Sequence, residues 1–249
     1  MRRSVHREFN GLQKTRFTAL LLGLWLVIMP PATHAHEGVI LLHGLARTEK
    51  SMRDMAAALQ EAGYTVLNVD YPSRSATVEE LAESVISQAL ANPLLKDSGQ
   101  IHFVTHSLGG ILVRSYLARH ELKNLGRVVM LGPPNQGSEV VDRLGDLSLF
   151  SAINGPAGRQ LGTAADSLPN RLGPVAFELG VIAGDRSINW INSLMIDGPD
   201  DGKVSVARTR VEGMKDHLVL HATHPYLMEN EQVIAQTLHF LRQGRFARN

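Results

Sequence analysis

Short apolar runs alternate with stretches of helical spacing along residues 36–249. Runs of strand length are predicted at residues 39–42, 64–69, 100–105, 127–131 and 175–182, and from residue 217 onward. Between them, Met52, Met55 and Leu59 recur at helical spacing, and Thr77 with Glu80 forms a capping-box signature for a further helix. This alternation predicts an α/β fold, a mainly parallel sheet with helices on both faces.

The run at residues 100–105 ends close to Ser107, and a helical pattern follows at once. A serine on such a sharp strand-to-helix turn is typical of a nucleophile elbow, which holds the hydroxyl clear of the backbone. Gly109 and Gly110 let the helix approach the strand because they lack a Cβ. Thr105 stands where the usual G-x-S-x-G pattern has its first glycine, and its branched side chain is expected to crowd the turn. An ordinary strand-to-helix turn is the alternative for this segment.

A serine nucleophile needs a histidine base, a carboxylate that orients the base, and donors for the oxyanion. The run at residues 39–42 ends in His43 and Gly44. In hydrolases with an elbow, the loop after that strand supplies one oxyanion-hole N–H and the residue after the nucleophile supplies the other. We therefore predict these donors to be the backbone amides of Leu45 and Leu108. His43 is expected to brace the loop.

Further along the chain, residues 198–204 form an acidic turn, and His224 precedes Pro225 and a predicted helix over 226–242. Turns and loops at strand ends are where α/β folds keep polar site residues. Ser107, the aspartates of this turn and His224 therefore follow one another in the chain order Ser, Asp, His.

The elbow, the His-Gly loop, the Asp-Gly-x-Val turn and the late histidine together resemble the α/β-hydrolase family, particularly its small lipase and esterase-like members. The resemblance covers nearly all of the chain after residue 36. It implies a carboxylic-ester hydrolase with Ser107 as nucleophile, His224 as base and Asp201 as acid. It also implies that the loop at 132–138 borders the substrate pocket; a plain Pro/Gly turn is the alternative.

Other carboxylates and histidines compete for the two partner roles. Asp201 is favoured as the acid because it lies three residues before Val204, as in the turn of these enzymes. Asp200 is the acid if the register slips by one, and Asp185 follows the predicted strand at 175–182, where many family members keep theirs. His224 is favoured over two other histidines because it ends the apolar run directly before the last helix. Those alternatives are His217, at the expected strand start, and His221, in the strand or at its edge.

The length of 249 residues is consistent with one domain and a leader. Residues 1–16 carry five Arg or Lys and one Glu, and the apolar run at 17–29 is too short to span a bilayer. Small residues then lead up to Ala35. The pattern predicts a secretory signal peptide over residues 1–35, cleaved after Ala35, and a hydrolase domain over 36–249. The expected location is periplasmic or secreted, and an uncleaved membrane anchor is the alternative.

Charge and cysteine content exclude several other classes of protein. The whole chain has a formal charge of +1, and because the leader contributes +4, residues 36–249 carry −3. They show no basic stripe with interleaved aromatic residues, which argues against nucleic acid. The absence of cysteine excludes disulfides and thiolate metal sites. No cofactor or metal motif is present, so we expect side-chain chemistry on a small-molecule or lipid ester. The sequence does not indicate an obligate protein partner.

Residues 139–173 interrupt the alternation and contain an apolar cluster between Leu147 and Ile153. A segment of this length is either a small lid over the pocket or a helix that covers the sheet. Two other functions fit the same residues. One is an acyltransferase or amidase with the same triad, and the other is a noncatalytic acyl-binding protein on the same fold.

Overall fold

The structure is a computed structural model that describes residues 36–145 and 148–248, with only the backbone for residues 148–153. The predicted leader, residues 1–35, and Leu147 lie outside the described residues. Within those ranges, no helix is both long and apolar enough to cross a bilayer.

Six parallel strands form one sheet in the described part of the chain, in the order β2-β1-β3-β4-β5-β6. The strands are β1 (Gly38–Leu42), β2 (Thr65–Val69), β3 (Ile101–His106), β4 (Leu125–Leu131), β5 (Leu179–Gly184) and β6 (Asp216–Leu220). The central strands read as unbroken apolar runs because a parallel sheet is covered on both faces.

Helices cover the sheet on both faces. They are α1 (Arg53–Glu61), α2 (Val78–Leu81), α3 (Ser87–Leu90), α4 (Leu108–Leu117), α5 (Glu139–Leu144), α6 (Ser148–Arg159), α7 (Leu168–Arg171), α8 (Trp190–Ser193) and α9 (Glu231–Gln243). Ile40 and Leu42 of β1 belong to an apolar cluster that includes residues of α2 and α4. Val39 and Leu41 belong to a second cluster, with residues of α1 and α9. The predicted α/β architecture with helices on both faces is confirmed.

The chain reverses its direction of travel across the sheet between β1 and β3. After β1 it moves outward to β2, returns to β3 on the other side of β1, and then continues stepwise to β6. The loops that follow β1 and β3 therefore diverge at the carboxyl end of the sheet and leave a crevice between them. The His-Gly loop and Ser107 both lie at this crevice.

Two predicted elements have different bounds in the structure. The fifth strand begins at Leu179 instead of Val175, because the N–H of Val175 donates to the carbonyl of Glu212 outside the sheet. The predicted helix over 226–242 is divided into a 3₁₀ turn, His224–Glu229, and α9. The division occurs because the side chain of Asn230 caps α9 and takes the extended backbone that a cap requires.

The elements around Thr77 follow the prediction closely. Thr77 and Glu80 form the expected capping box, and the helix that it starts runs from α2 through a π-helical turn, Ala82–Ile86, into α3. The interrupted stretch at 139–173 contains α5, α6 and α7, and α6 kinks at Gly155. The side chains of the predicted apolar cluster there lie outside the described residues.

Candidate active site

Ser107 occupies a strained turn between β3 and α4. Its φ of 51° and ψ of −117° lie in a region that residues with a Cβ rarely adopt. The Ser107 N–H donates to the carbonyl of Leu131 at 2.9 Å, which ties the turn to the end of β4. The half-buried side chain lines a cavity. This is the backbone geometry of a nucleophile elbow.

The two glycines after Ser107 make this turn possible. A Cβ on Gly109 would lie 2.6 Å from the carbonyl oxygen of Leu42, and one on Gly110 would lie 3.0 Å from the Met130 sulfur. Thr105 is fully buried and stays in regular register with both neighbouring strands, opposite Leu42 and Met130. The crowding expected at Thr105 therefore does not distort β3, because the room that the elbow needs is made by the glycines beyond it.

His43 braces the loop after β1, as expected. Its Nδ1–H donates to the Gly44 carbonyl at 2.9 Å, and its Nε2 accepts the N–H of Tyr71 at 3.3 Å. The ring stacks on Tyr71 at a centroid distance of 4.0 Å, and the Tyr71 hydroxyl donates to the His43 carbonyl. Burial lowers the pKa of His43, which favours the neutral ring that this bonding requires.

The amides predicted as oxyanion donors belong to one residue that lines the same cavity as Ser107 and to the residue directly after Ser107. Leu45 lines the cavity, Leu108 follows Ser107, and a Cβ on Gly44 would lie 3.2 Å from the Ser107 Cβ. Ala46 has φ 55°, and its N–H donates to the Ser73 hydroxyl at 3.0 Å, which fixes the loop. Among the described residues, neither Leu45 nor Leu108 donates its N–H to another protein group. Both amides are thus available to a bound oxygen.

Asp201 is fully buried and held by its own turn. Its Oδ1 accepts the N–H groups of Lys203 and Val204 at 3.0 and 2.9 Å. Its Oδ2 accepts the Nδ1–H of His224 at 2.7 Å, and its carbonyl accepts the His224 N–H at 2.9 Å. The carboxylate therefore fixes both the ring and the backbone of His224, and leaves Nε2 as the nitrogen that can exchange a proton with a hydroxyl.

Gly132, directly after β4, leaves room for the Asp201–His224 pair. It has φ 55°, and a Cβ there would lie 2.9 Å from the Asp201 carboxylate and 3.1 Å from the His224 ring. A larger residue there would be strained and would force the neighbouring side chains to shift. Sequence reasoning placed Gly132 only in a pocket-bordering loop, since nothing in the local sequence shows what a glycine faces.

Ser107, Asp201 and His224 line one cavity of about 280 Å³. Most of its other lining side chains are apolar: Leu45, Pro134, Val140, Val141, Leu161, Ile188, Val204 and Pro225. Three of these, Val140, Val141 and Leu161, come from the stretch at 139–173. That stretch therefore contributes to the wall of the cavity.

The alternative acids and bases lie elsewhere. Asp185 and His221 bond to each other at 3.0 Å on the surface, and neither lines the cavity. Asp200 accepts hydrogen bonds from Gly202 and Ser193 within its turn. His217 bonds to the Thr209 hydroxyl at 2.9 Å, and burial, together with nearby arginines, lowers its pKa to about 4. The structure brings only Asp201 and His224 together with Ser107.

His106, which sequence reasoning did not single out, joins the two halves of the site. It is buried, and its Nε2–H donates to the His224 carbonyl at 3.0 Å. Its Nδ1 is buried with no hydrogen-bond partner among the described residues. Burial and the neighbouring His224 lower the pKa of His106 well below its usual value, so the ring is neutral. Its place directly before Ser107 was the available signal, and we assign it a positioning role.

The loop after β4 borders the cavity through Pro134 and Ser138, as the resemblance implied. The Ser138 hydroxyl donates to the Lys203 carbonyl at 2.7 Å, which attaches the loop to the turn of the acid. Buried Arg114 donates to the Asn135 carbonyl at 2.8 Å, and burial lowers the pKa of Arg114 to about 10. The loop is therefore anchored from both sides.

The fold is similar to those of several solved esterases and lipases. A Bacillus licheniformis lipase in its mature form has a TM-score of 0.68 and 18% identity, over 83% of this chain and 92% of that one. A metagenomic carboxyl esterase has a TM-score of 0.61 and 20% identity, over 79% of this chain and 66% of that one. A Legionella pneumophila phospholipase has a TM-score of 0.58 and 22% identity, over 69% of this chain and 45% of that one. At these identities the likeness concerns the fold.

The family of the chain is identified by a sequence match to a family model. No curated protein matches the chain by sequence. The model of the palmitoyl protein thioesterase family matches residues 38–166, which include the His-Gly loop and the elbow and end before Asp201. Family and fold confirm the resemblance to α/β-hydrolases and support a hydrolase of the lipase and esterase type. The chain belongs to the palmitoyl protein thioesterase family.

Proposed function

We propose that this protein is an exported serine hydrolase that cleaves carboxylic esters of apolar acyl groups, with Ser107, Asp201 and His224 as its triad. One observation carries the proposal: an elbow serine and a buried Asp–His pair line the same, mostly apolar cavity. This combination supplies a nucleophile, a base and a place for an acyl chain at one point of the molecule.

Each residue of the triad has a definite role. The Ser107 oxygen attacks the acyl carbon while the Nε2 of His224 takes the hydroxyl proton and then delivers it to the leaving group. Water attacks the resulting acyl-enzyme while His224 accepts a proton from it, and His224 then returns that proton to the Ser107 oxygen as the bond to the acyl group breaks and the carboxylic acid leaves. Asp201 holds the imidazole in the tautomer with a proton on Nδ1 and stabilises the imidazolium that forms.

The backbone amides of Leu45 and Leu108 form the oxyanion hole in this proposal. Their freedom from protein acceptors supports the role, because a donor that is already bonded is not available to the tetrahedral intermediate. In enzymes of this kind, loss of one such donor lowers kcat by on the order of 10²–10³. Two residues act indirectly: the Ser73 hydroxyl holds the loop that carries Leu45 through the Ala46 N–H, and His106 holds the backbone of His224.

The size of the cavity restricts the acyl group. A volume of about 280 Å³ is just below the usual range of ligand sites, roughly 300–1,000 Å³. Short and medium-length acyl groups fit inside it, and a longer chain extends beyond its mouth. The substrate is thus a small-molecule or lipid ester whose acyl end meets the apolar wall.

A thioester is the second candidate for the cleaved bond, and the family match favours it. The same attack by Ser107 applies, with a thiol as the leaving group. Transfer to an acceptor other than water, or cleavage of an amide, uses the same acyl-enzyme. A panel of oxygen ester, thioester and amide with one common acyl group, with the products identified by mass spectrometry, separates these reactions.

Export is proposed from the leader sequence. Residues 1–35 combine a basic start, an apolar run and small residues before Ala35. The exported protein is expected to begin at His36, as determined by mass spectrometry. An intact Met1 would instead indicate a form that keeps its N-terminal segment as an anchor.

The Ser107→Ala variant tests the reaction. We expect it to abolish ester hydrolysis and labelling by a fluorophosphonate probe, because loss of the nucleophile in such triads lowers kcat by on the order of 10⁶. Ser84→Ala is the matched control: Ser84 is exposed on the helix that follows Thr77, and its hydroxyl bonds only to helix carbonyls. The control should keep full activity and labelling.

The outcome decides between two classes of protein. Undiminished activity of Ser107→Ala would disprove the elbow as the nucleophile. Wild-type protein that binds fatty acids but neither hydrolyses nor labels would be a noncatalytic acyl-binding protein.

A further inference from the structure

Residues 188–194, which we call the apolar segment, expose an unusual amount of apolar surface. Trp190 is 71% exposed and Leu194 is 76% exposed, and Ile188 and Ile191 are each more than half exposed. The other exposed large apolar side chains of the described residues are scattered along the chain. Single exposed apolar residues are ordinary, whereas a contiguous patch marks an interaction site.

The polarity of this segment is the reverse of that of an ordinary surface helix. Its polar residues face the protein: the buried Asn192 donates to the Gly202 carbonyl at 2.8 Å, and the Ser193 hydroxyl donates to Asp200 at 2.8 Å. The Asn189 side chain caps α8 by accepting the Asn192 N–H at 3.1 Å. A surface helix normally turns its apolar side chains inward. Here the hydrogen bonds hold them outward.

The segment adjoins the mouth of the cavity. Ile188 lines the cavity, and a Cβ on Gly202 would lie 3.0 Å from the Ser187 hydroxyl, so the segment packs against the turn of the acid. Two cations, Arg47 and Lys203, line the same cavity. Among the described residues, neither forms an ion pair with a carboxylate. Apolar surface and unpaired positive charge thus occur together.

We propose that the apolar segment docks the mouth of the cavity on a lipid surface with anionic headgroups. Tryptophan, isoleucine and leucine insert among the acyl chains, and Arg47 and Lys203 meet the headgroups. The lipid occupant is favoured over a protein partner because the patch continues, through Ile188, into a cavity whose lining is mostly apolar and includes two cations. The proposal deepens the proposed function, since it brings lipid esters to Ser107, but it concerns binding alone.

Trp190 itself is the reporter for the test. The chain contains two tryptophans, Trp25 and Trp190, so a Trp25→Phe background leaves one whether or not the leader is removed. The emission of Trp190 is followed as phosphatidylcholine vesicles with and without phosphatidylglycerol are added. We expect a blue shift that grows with phosphatidylglycerol content. All measurements are made in Ser107→Ala, so that hydrolysis does not alter the vesicles.

Matched variants identify the surface that binds. Leu194→Ser should weaken vesicle binding by about tenfold or more, because a buried leucine is lost from the docked state. Leu94→Ser is the control, since Leu94 is also exposed but lies in the 3₁₀ turn Pro93–Leu95, away from the cavity lining. It should bind as the parent does. Both side chains are exposed, and unchanged melting curves verify that each variant folds.

Several outcomes would overturn the proposal. They are an unshifted Trp190 emission, equal weakening by the two serine variants, or a dimer in gel filtration that Leu194→Ser dissociates without a change in vesicle binding. Equal affinity for neutral and anionic vesicles would overturn the assignment of an anionic surface. If Ser107→Ala still hydrolysed esters, the proposed reaction would fail while the docking result stood.

Discussion

Two Asp–His pairs lie near the carboxyl ends of β5 and β6, and their surroundings differ sharply. The Asp201–His224 pair has a 2.7 Å contact, with side chains that are 0% and 9% exposed. The Asp185–His221 pair has a 3.0 Å contact, with side chains that are 36% and 74% exposed. The inner pair lines the cavity with Ser107, and the outer pair faces solvent.

The difference teaches that an Asp–His contact alone does not distinguish the pair that we propose to be catalytic. Backbone amides hold the Asp201 carboxylate in place, and the Asp201 carbonyl holds the His224 backbone. Among the described donors, only His221 reaches the Asp185 carboxylate. Water competes with a solvent-exposed pair and screens its charges, whereas a buried and pre-positioned pair keeps one geometry for the reaction.

Substitution of the two histidines is expected to give the largest difference in kcat between the inner and the outer pair. His224→Ala should lower kcat for ester hydrolysis by on the order of 10⁶, because nucleophile and base act as one unit. His221→Ala is the matched change on the outer pair and should stay close to wild type. Steady-state kinetics on one chromogenic ester measures both. An inactive His221→Ala with an active His224→Ala would assign the base to the outer pair.

Substitution of the two aspartates should give a smaller difference in kcat between the pairs. Asp201→Asn keeps the size of the side chain but disturbs the tautomer of His224, so we expect kcat to fall by on the order of 10⁴. Asp185→Asn should change kcat little. Kinetics and melting curves are measured together, because a fall in kcat without a fall in Tm separates catalysis from folding. The reverse ranking would make Asp185 the acid.

The smallest effect concerns the stability contribution of the outer pair. A double-mutant cycle of Asp185→Asn and His221→Gln should give a coupling free energy below about 1 kcal/mol, as is usual for exposed pairs. Adding salt should reduce it further. The measurement is the urea unfolding of the four proteins. A coupling free energy of several kcal/mol would show that the outer pair contributes substantially to the stability of the fold.

The fold was predictable because its signals are local. Each buried strand is an apolar run, and Thr77 with Glu80 marks a helix start that the structure shows. The boundaries were less accurate where a single hydrogen bond decides them, as at Val175 and Asn230. Such contacts join residues distant in sequence, or compete with a continuing pattern, so periodicity does not reveal them.

The site was only partly predictable. The elbow at Ser107 has a sequence signature, but Asp185 at a strand end and Asp201 in a later turn both lie beside glycine, and which of them is buried depends on packing. The positioning role of His106, the close approach at Gly132 and the outward face of the apolar segment arise from tertiary contacts. The roles of the triad residues stay predictions until the variants are measured.

Only two residues with a Cβ have a positive φ in the described part of the chain, Ala46 and Ser107. A left-handed conformation costs such a residue roughly 1–2 kcal/mol, and whole domains are stable by only about 5–15 kcal/mol. Both lie at the cleft between β1 and β3. A backbone trace stripped of every side chain would therefore still locate the proposed reaction centre. If the proposed reaction is correct, efforts to make this protein more heat-resistant should leave both positions unchanged, since glycine there would relieve strain by loosening the loops that hold the proposed nucleophile and oxyanion hole.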